Sequence, residues 1–88
     1  MLTRDLVQTW LDVIAHPPIN EHGLASASKH DPLLAEAWKH SALIDDLLQD
    51  AHIVKNGMAS SSYESNFRQR LAENVEGPEV ADLIWNAA

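Results

Sequence analysis

The sequence predicts an all-α fold, a small bundle of four or five short helices forming one domain over residues 1–88. Three observations lead to it. Apolar residues recur at three- and four-residue intervals along most of the chain, and no stretch alternates apolar with polar residues as a half-buried strand would. Pro17-Pro18, Asn56-Gly57 and Gly77-Pro78 punctuate those periodic stretches with residues that end or interrupt helices. The chain is also short, at 88 residues, yet 45% apolar, enough to fold around a core and too much for a disordered chain. A domain of this size buries only about 60–65% of its unfolded surface, so the core is expected to be thin.

Thr3 is a good N-cap for a first helix running to about Ala15, with Leu6, Val7, Trp10, Leu11 and Ile14 on one apolar face. Pro17-Pro18 ends it. Asn20 can cap a weak second helix over residues 21–29, which Gly23 and its serines disfavour. Asp31-Pro32 is the clearest start signal, a capping carboxylate followed by a residue whose φ is preset for the first helical position. The longest helix is expected from there to about His52. Its stripe is Leu34, Ala37, Trp38, Ile44, Leu47, Leu48 and Ala51, with Ser41 inside it and Leu33 and Leu43 widening it. Trp38 is expected near the middle of the core.

Asn56-Gly57 and the run Ser60-Ser61-Ser62 form a loop. Ser61 and Glu64 have capping-box spacing for a further helix over about 62–75, with Tyr63, Phe67, Leu71 and Val75 on one side. After Gly77-Pro78, Val80, Leu83, Ile84 and Trp85 form a short last helix or a docked tail. Trp85 either caps the core or stays exposed as a binding anchor.

Charge narrows the function classes. Thirteen acids against six bases give a formal net charge of −7. Direct nucleic-acid binding is not expected, because phosphate contacts need a basic face. Residues 31–54 carry five acids and the single base Lys39, and four acids with no base follow Leu71. Such a surface steers toward a basic protein, while also serving plain solubility.

Catalysis is not expected. Asp45, Asp46 and Asp50 lie along one helix, and adjacent residues there point about 100° apart rather than facing each other across a cleft. The serines match neither G-x-S-x-G nor S-x-x-K, and three scattered glycines cannot build a phosphate loop. No cofactor is expected, and no metal: His16, His22, His30, His40 and His52 include no pair at i, i+3 or i, i+4, leaving only His40 with Glu36. With no cysteine, neither disulfides nor thiolate sites contribute, which fits a reducing compartment. The apolar runs fall far short of the roughly 20 residues that span a bilayer, and Met1-Leu2-Thr3-Arg4-Asp5 lacks the basic-then-apolar pattern of a leader. A cytoplasmic location without membrane contact is the expectation.

Asp31-Pro32, then Trp38, then Leu43-Ile44-Asp45-Asp46, a loop, and Asn66-Phe67-Arg68-Gln69-Arg70-Leu71 follow one another at characteristic spacings. From Asp31 to Glu76 this pattern resembles the cytoplasmic N-terminal domain of RseA- and MucA-type bacterial anti-sigma factors. Ser41 stands where that family carries Tyr, and Asp45 replaces a base, making this face more acidic. The resemblance implies a small helical domain that wedges between the two helical domains of an extracytoplasmic-function sigma factor and occludes its polymerase-binding surfaces. The partner is then a basic sigma factor, bound without chemistry, as part of transcription regulation. Leu6, Trp10, Leu43, Asp45, Asp46 and Phe67 are expected to touch it, combining apolar anchors with acid. Two other classes stay open: an acidic, DNA-mimicking inhibitor of a nucleic-acid enzyme, of phage or plasmid type, and a small homo-oligomeric structural or chaperone-like domain.

Overall fold

Thr3 opens α1 (Arg4–Ala15) as expected, its hydroxyl accepting from the Leu6 amide at 3.2 Å. The structure is a computed structural model that describes residues 1–88. The His16 amide closes α1 on the Asp12 carbonyl, and the two prolines that follow allow no further turn. Asn20 caps α2 (Glu21–Ser28) through the Gly23 amide at 3.0 Å. Asp31 caps α3 (Pro32–Lys39) twice, its Oδ1 accepting from the Leu33 and Leu34 amides at 3.1 Å each. α4 (Ser41–Lys55), α5 (Ser61–Asn74) and α6 (Pro78–Ala87) complete the chain.

The class is therefore all-helical, with six helices where four or five were expected. The long helix expected from Pro32 to about His52 is two helices, broken at His40 (φ −97°, ψ 5°). Ser41 marks the break. Its hydroxyl donates to the Trp38 carbonyl at 2.7 Å, giving an end-of-helix acceptor a side-chain partner, and the ladder restarts where the Ile44 amide donates to His40.

α4 ends in a Schellman turn. The Met58 amide donates to the Ile53 carbonyl and the Gly57 amide to Val54, with Gly57 at φ +69°, a conformation that favours glycine. The α5 cap is Ser60 rather than Ser61, its hydroxyl accepting from the Tyr63 amide at 3.2 Å. After α5 the chain turns extended at Val75, where Leu2 pairs with it: the Leu2 amide donates to the Asn74 carbonyl at 2.7 Å and the Leu2 carbonyl accepts from the Glu76 amide at 2.9 Å. This single parallel bridge ties the start of the chain to the α5–α6 junction. Extended Gly77 and then Pro78 start α6.

α1 rests on α3 and α6, and α4 on α5 and α6, so α6 lies against both long arms of the bundle. α2 packs on α3 alone. The molecule is elongated, 42 × 24 × 16 Å. Its core is one cluster of 14 apolar residues, with Val7, Ala37, Ile44, Leu47, Ala51, Val80 and Ile84 fully excluded from solvent. No buried residue is polar or charged. Trp38 is not at the centre of this core. Ala37 takes the inner position of α3, and Trp38, about 100° further round the helix, is half-buried at the edge.

Candidate partner-binding surface

Side chains that carry charge in this chain do two different jobs, and the hydrogen bonds separate them. Asp50 is structural: one carboxylate oxygen accepts from the Tyr63 hydroxyl and the other from the Arg70 guanidinium, clamping α4 to α5. The carboxylate beside the Tyr63 hydroxyl holds the phenol proton and pushes its pKa above the usual 10.0. Arg68 and Lys39 pair within their own helices, with Glu64 and Glu36, both at 3.0 Å. Lys39 holds Glu36 below the usual carboxylate range, first by hydrogen bond and then by charge. His40 lies 3.9 Å from the same carboxylate, the pairing its i, i+4 spacing suggests.

Lys55 has no carboxylate partner. Its ammonium donates to the Trp85 carbonyl at 2.6 Å and sits 5.2 Å from the centre of that indole, while the Arg68 guanidinium lies 5.4 Å from it. Ion pairs thus occupy Glu36, Asp50 and Glu64, and the other acids keep their charge unneutralised by any base of the chain.

Asp45 and Asp46 belong to that second group. Both are exposed on α4. Asp45 Oδ1 accepts the indole N–H of Trp10 at 2.9 Å, which orients the carboxylate and ties α4 to α1. Asp46 stands three residues beyond Leu43, on the same face of α4. Leu43 and Leu6 are half-buried: each packs on the core and keeps part of its surface in solvent. Trp38, with Ala35 and Lys39, lines a shallow, open and largely apolar depression on α3.

Of the six expected contact residues, the structure brings Trp10 and Asp45 into direct contact and sets Leu43 beside Asp46. Trp10 itself is 9% exposed, so it serves the surface through the carboxylate it holds. Phe67 is corrected. At 1% exposure its ring is core, packed 6.3 Å from the Trp85 ring, and it offers no surface to a partner. The aromatic rings at the surface are Trp38 and Trp85, both half-buried, and Tyr63. Trp85 both closes the core beside Phe67 and reaches solvent under its two cations. Trp38 stands about 100° round the helix from Ala37, and that phase is the signal for its place off the inner face. The Lys55–Trp85 contact spans 30 positions and has no local signal.

No helix is long and apolar enough to cross a membrane. No family model, curated protein or solved structure matches this chain.

Proposed function

We infer that this chain is a protein-binding domain that sequesters a basic partner stoichiometrically and without catalysis, the partner being a sigma-type transcription factor. One observation carries the reading. On α4 the Asp45 carboxylate is oriented by Trp10 of α1, and the unpaired Asp46 carboxylate stands one turn from the half-exposed Leu43, while Leu6 on α1 is half-exposed too. Apolar area of that kind supplies affinity, and surrounding carboxylates set encounter rate, register and partner choice. A sigma factor presents the matching surface, apolar and basic, where it binds polymerase and promoter. The spacing of Asp31-Pro32, Trp38 and Leu43-Ile44-Asp45-Asp46 supports the same partner.

The large unneutralised acidic charge also favours a second reading, an inhibitor that imitates DNA. Salt separates the two, since a phosphate-like surface loses its grip in moderate salt and an apolar interface does not. The test is capture by the tagged chain from its native host at about 0.3 M salt, where exposed charges are strongly screened. Sequestration requires one sigma factor recovered in equal amount. Recovery of a nuclease or another nucleic-acid enzyme instead would refute it.

A further inference from the structure

The geometry points to a second interaction surface, a groove between α5 and α6 that takes a basic amphipathic helix of another protein. The two helices meet only lightly. The cleft between them begins at the bridged N-terminus, where Met1, Ala72, Val75, Glu76, Pro78 and Ala81 surround about 430 Å³. Beyond Ala81, which lines both parts, it continues into about 280 Å³ between Arg68, Leu71, Asp82 and Trp85. One wall is Leu71 and Ala72 on α5 with Val75 just past its end, and the other is Pro78, Ala81 and Trp85 on α6. The α6 wall steps along its helix at the three- and four-residue intervals that place side chains on one face. The wall on α6 alone is about two turns long, the footprint of a short helix lying in the groove.

Small side chains at Ala72 and Ala81 let a helix approach closely, and Met1, 79% exposed, is an unbranched side chain that can adapt to what lies beneath it. The Leu2–Val75 bridge fixes the wall from which Met1 projects.

Charge selects the occupant. Glu73, Glu76, Glu79 and Asp82 follow Arg70 with no further base to the end of the chain, and none of them is ion-paired. Glu76 and Asp82 line the groove itself, and the Glu79 carboxylate folds against Gly77, which also lines it. Arg68, the one base in the lining, is engaged by Glu64 and by the Trp85 ring. The helix that fits carries a narrow apolar stripe flanked by Lys or Arg; an acidic helix meets like charge at Glu76, Glu79 and Asp82. None of Leu6, Leu43, Asp45 and Asp46 lines this groove, and the proposal does not rest on the identity of a partner bound through them.

The probe is a labelled synthetic peptide of about four helical turns, Leu at i, i+3, i+4 and i+7 and Lys elsewhere, titrated with the whole chain by fluorescence anisotropy. Saturable binding is expected, weakened by salt and by Glu76→Lys. Ala72→Arg, at an exposed helix position and so compatible with folding, is expected to weaken binding at least about tenfold by filling the groove with like charge. Glu21→Lys, on α2, which packs on α3 and on neither wall of the groove, is expected to leave it within about twofold. Equal binding of a scrambled peptide, equal binding of the Lys-to-Glu peptide, or no effect of Ala72→Arg would overturn the proposal. A chain dimer in sedimentation that Ala72→Arg abolishes would overturn it too, by assigning the groove to a second copy.

Discussion

The indole N–H of Trp10 donates to Asp45 Oδ1 at 2.9 Å, joining α1 to α4 across 35 positions of sequence. This bond places one member of the proposed partner surface under the control of the core, because Trp10 is 9% exposed while Asp45 is in solvent. Losing the carboxylate therefore has two separable effects, one on stability and one on charge.

Asp45→Ala leaves a nearly buried indole donor without its acceptor, and a loss of about 1–2 kcal/mol is expected in urea unfolding. Trp10→Phe removes the donor and leaves the carboxylate in water, at an expected cost of about 1 kcal/mol beyond any packing change. The double variant should lose less than the sum of the two. Additive losses would mean the bond contributes nothing. Asp45→Asn keeps an acceptor and removes the charge, so it is the variant for binding experiments.

Phe67→Ala tests the correction of that residue from contact to core. Removing a large buried aromatic costs about 3–5 kcal/mol, a large share of the stability of a domain this small. The expected outcome is a chain largely unfolded or loosely packed by near-ultraviolet circular dichroism. A stable, well-packed Phe67→Ala protein with impaired partner capture would restore it as a contact residue.

The Asp50 clamp predicts alkaline sensitivity. The Tyr63 pKa is raised above 10.0 by its hydrogen bond to Asp50, by burial and by the carboxylate charge, in that order, with Arg70 opposing. A raised folded-state value favours the protonated phenol in the folded chain. Its contribution is fully present below pH 10.0 and lost as pH climbs through the raised value. Tyr63 is the only tyrosine, so tyrosinate absorbance reads it directly. Asp50→Asn should shift its titration to lower pH, and Arg70→Ala to higher pH. An unmoved Tyr63 in Asp50→Asn would contradict the clamp.

Much of this architecture was legible because it is local. Thr3, Asn20 and Asp31 cap the helices their positions suggest, Pro17-Pro18 and Asn56-Gly57 fall between helices, and Gly77-Pro78 starts α6. The break at His40 was not legible. No glycine or proline marks it, and Leu34, Ala37, Ile44, Leu47 and Ala51 stay in phase as though one straight helix carried them. Ser41 within that stripe was the only residue of the stripe that betrayed it. The bridge from Leu2 to Val75 spans nearly the whole chain and has no sequence signature. At the candidate surface, Asp45 and Asp46 could be picked out by charge. That Asp45 would be held by Trp10, and that Phe67 would be covered by Trp85, depended on how α1 and α6 pack, which a helical period does not encode.

Lys55 and Arg68 flank Trp85, and each cation is expected to add about 0.5–1 kcal/mol at this partly exposed ring. Lys55→Ala also removes the donor to the Trp85 carbonyl near the end of α6. Faster hydrogen exchange confined to the last turn of α6, with the rest of the chain unchanged, is the expected result. Uniform acceleration through all six helices would show a global loss of stability instead.

The most direct test of sequestration is competition. The purified chain, an extracytoplasmic-function sigma factor from its host and core RNA polymerase are mixed, and polymerase-bound sigma is measured as the chain is titrated. The account predicts displacement that saturates at one chain per sigma factor, with Asp45→Asn and Asp46→Asn slowing association and Leu43→Ala hastening dissociation. Undiminished polymerase binding at excess folded chain, for every such sigma factor of the host, would contradict it.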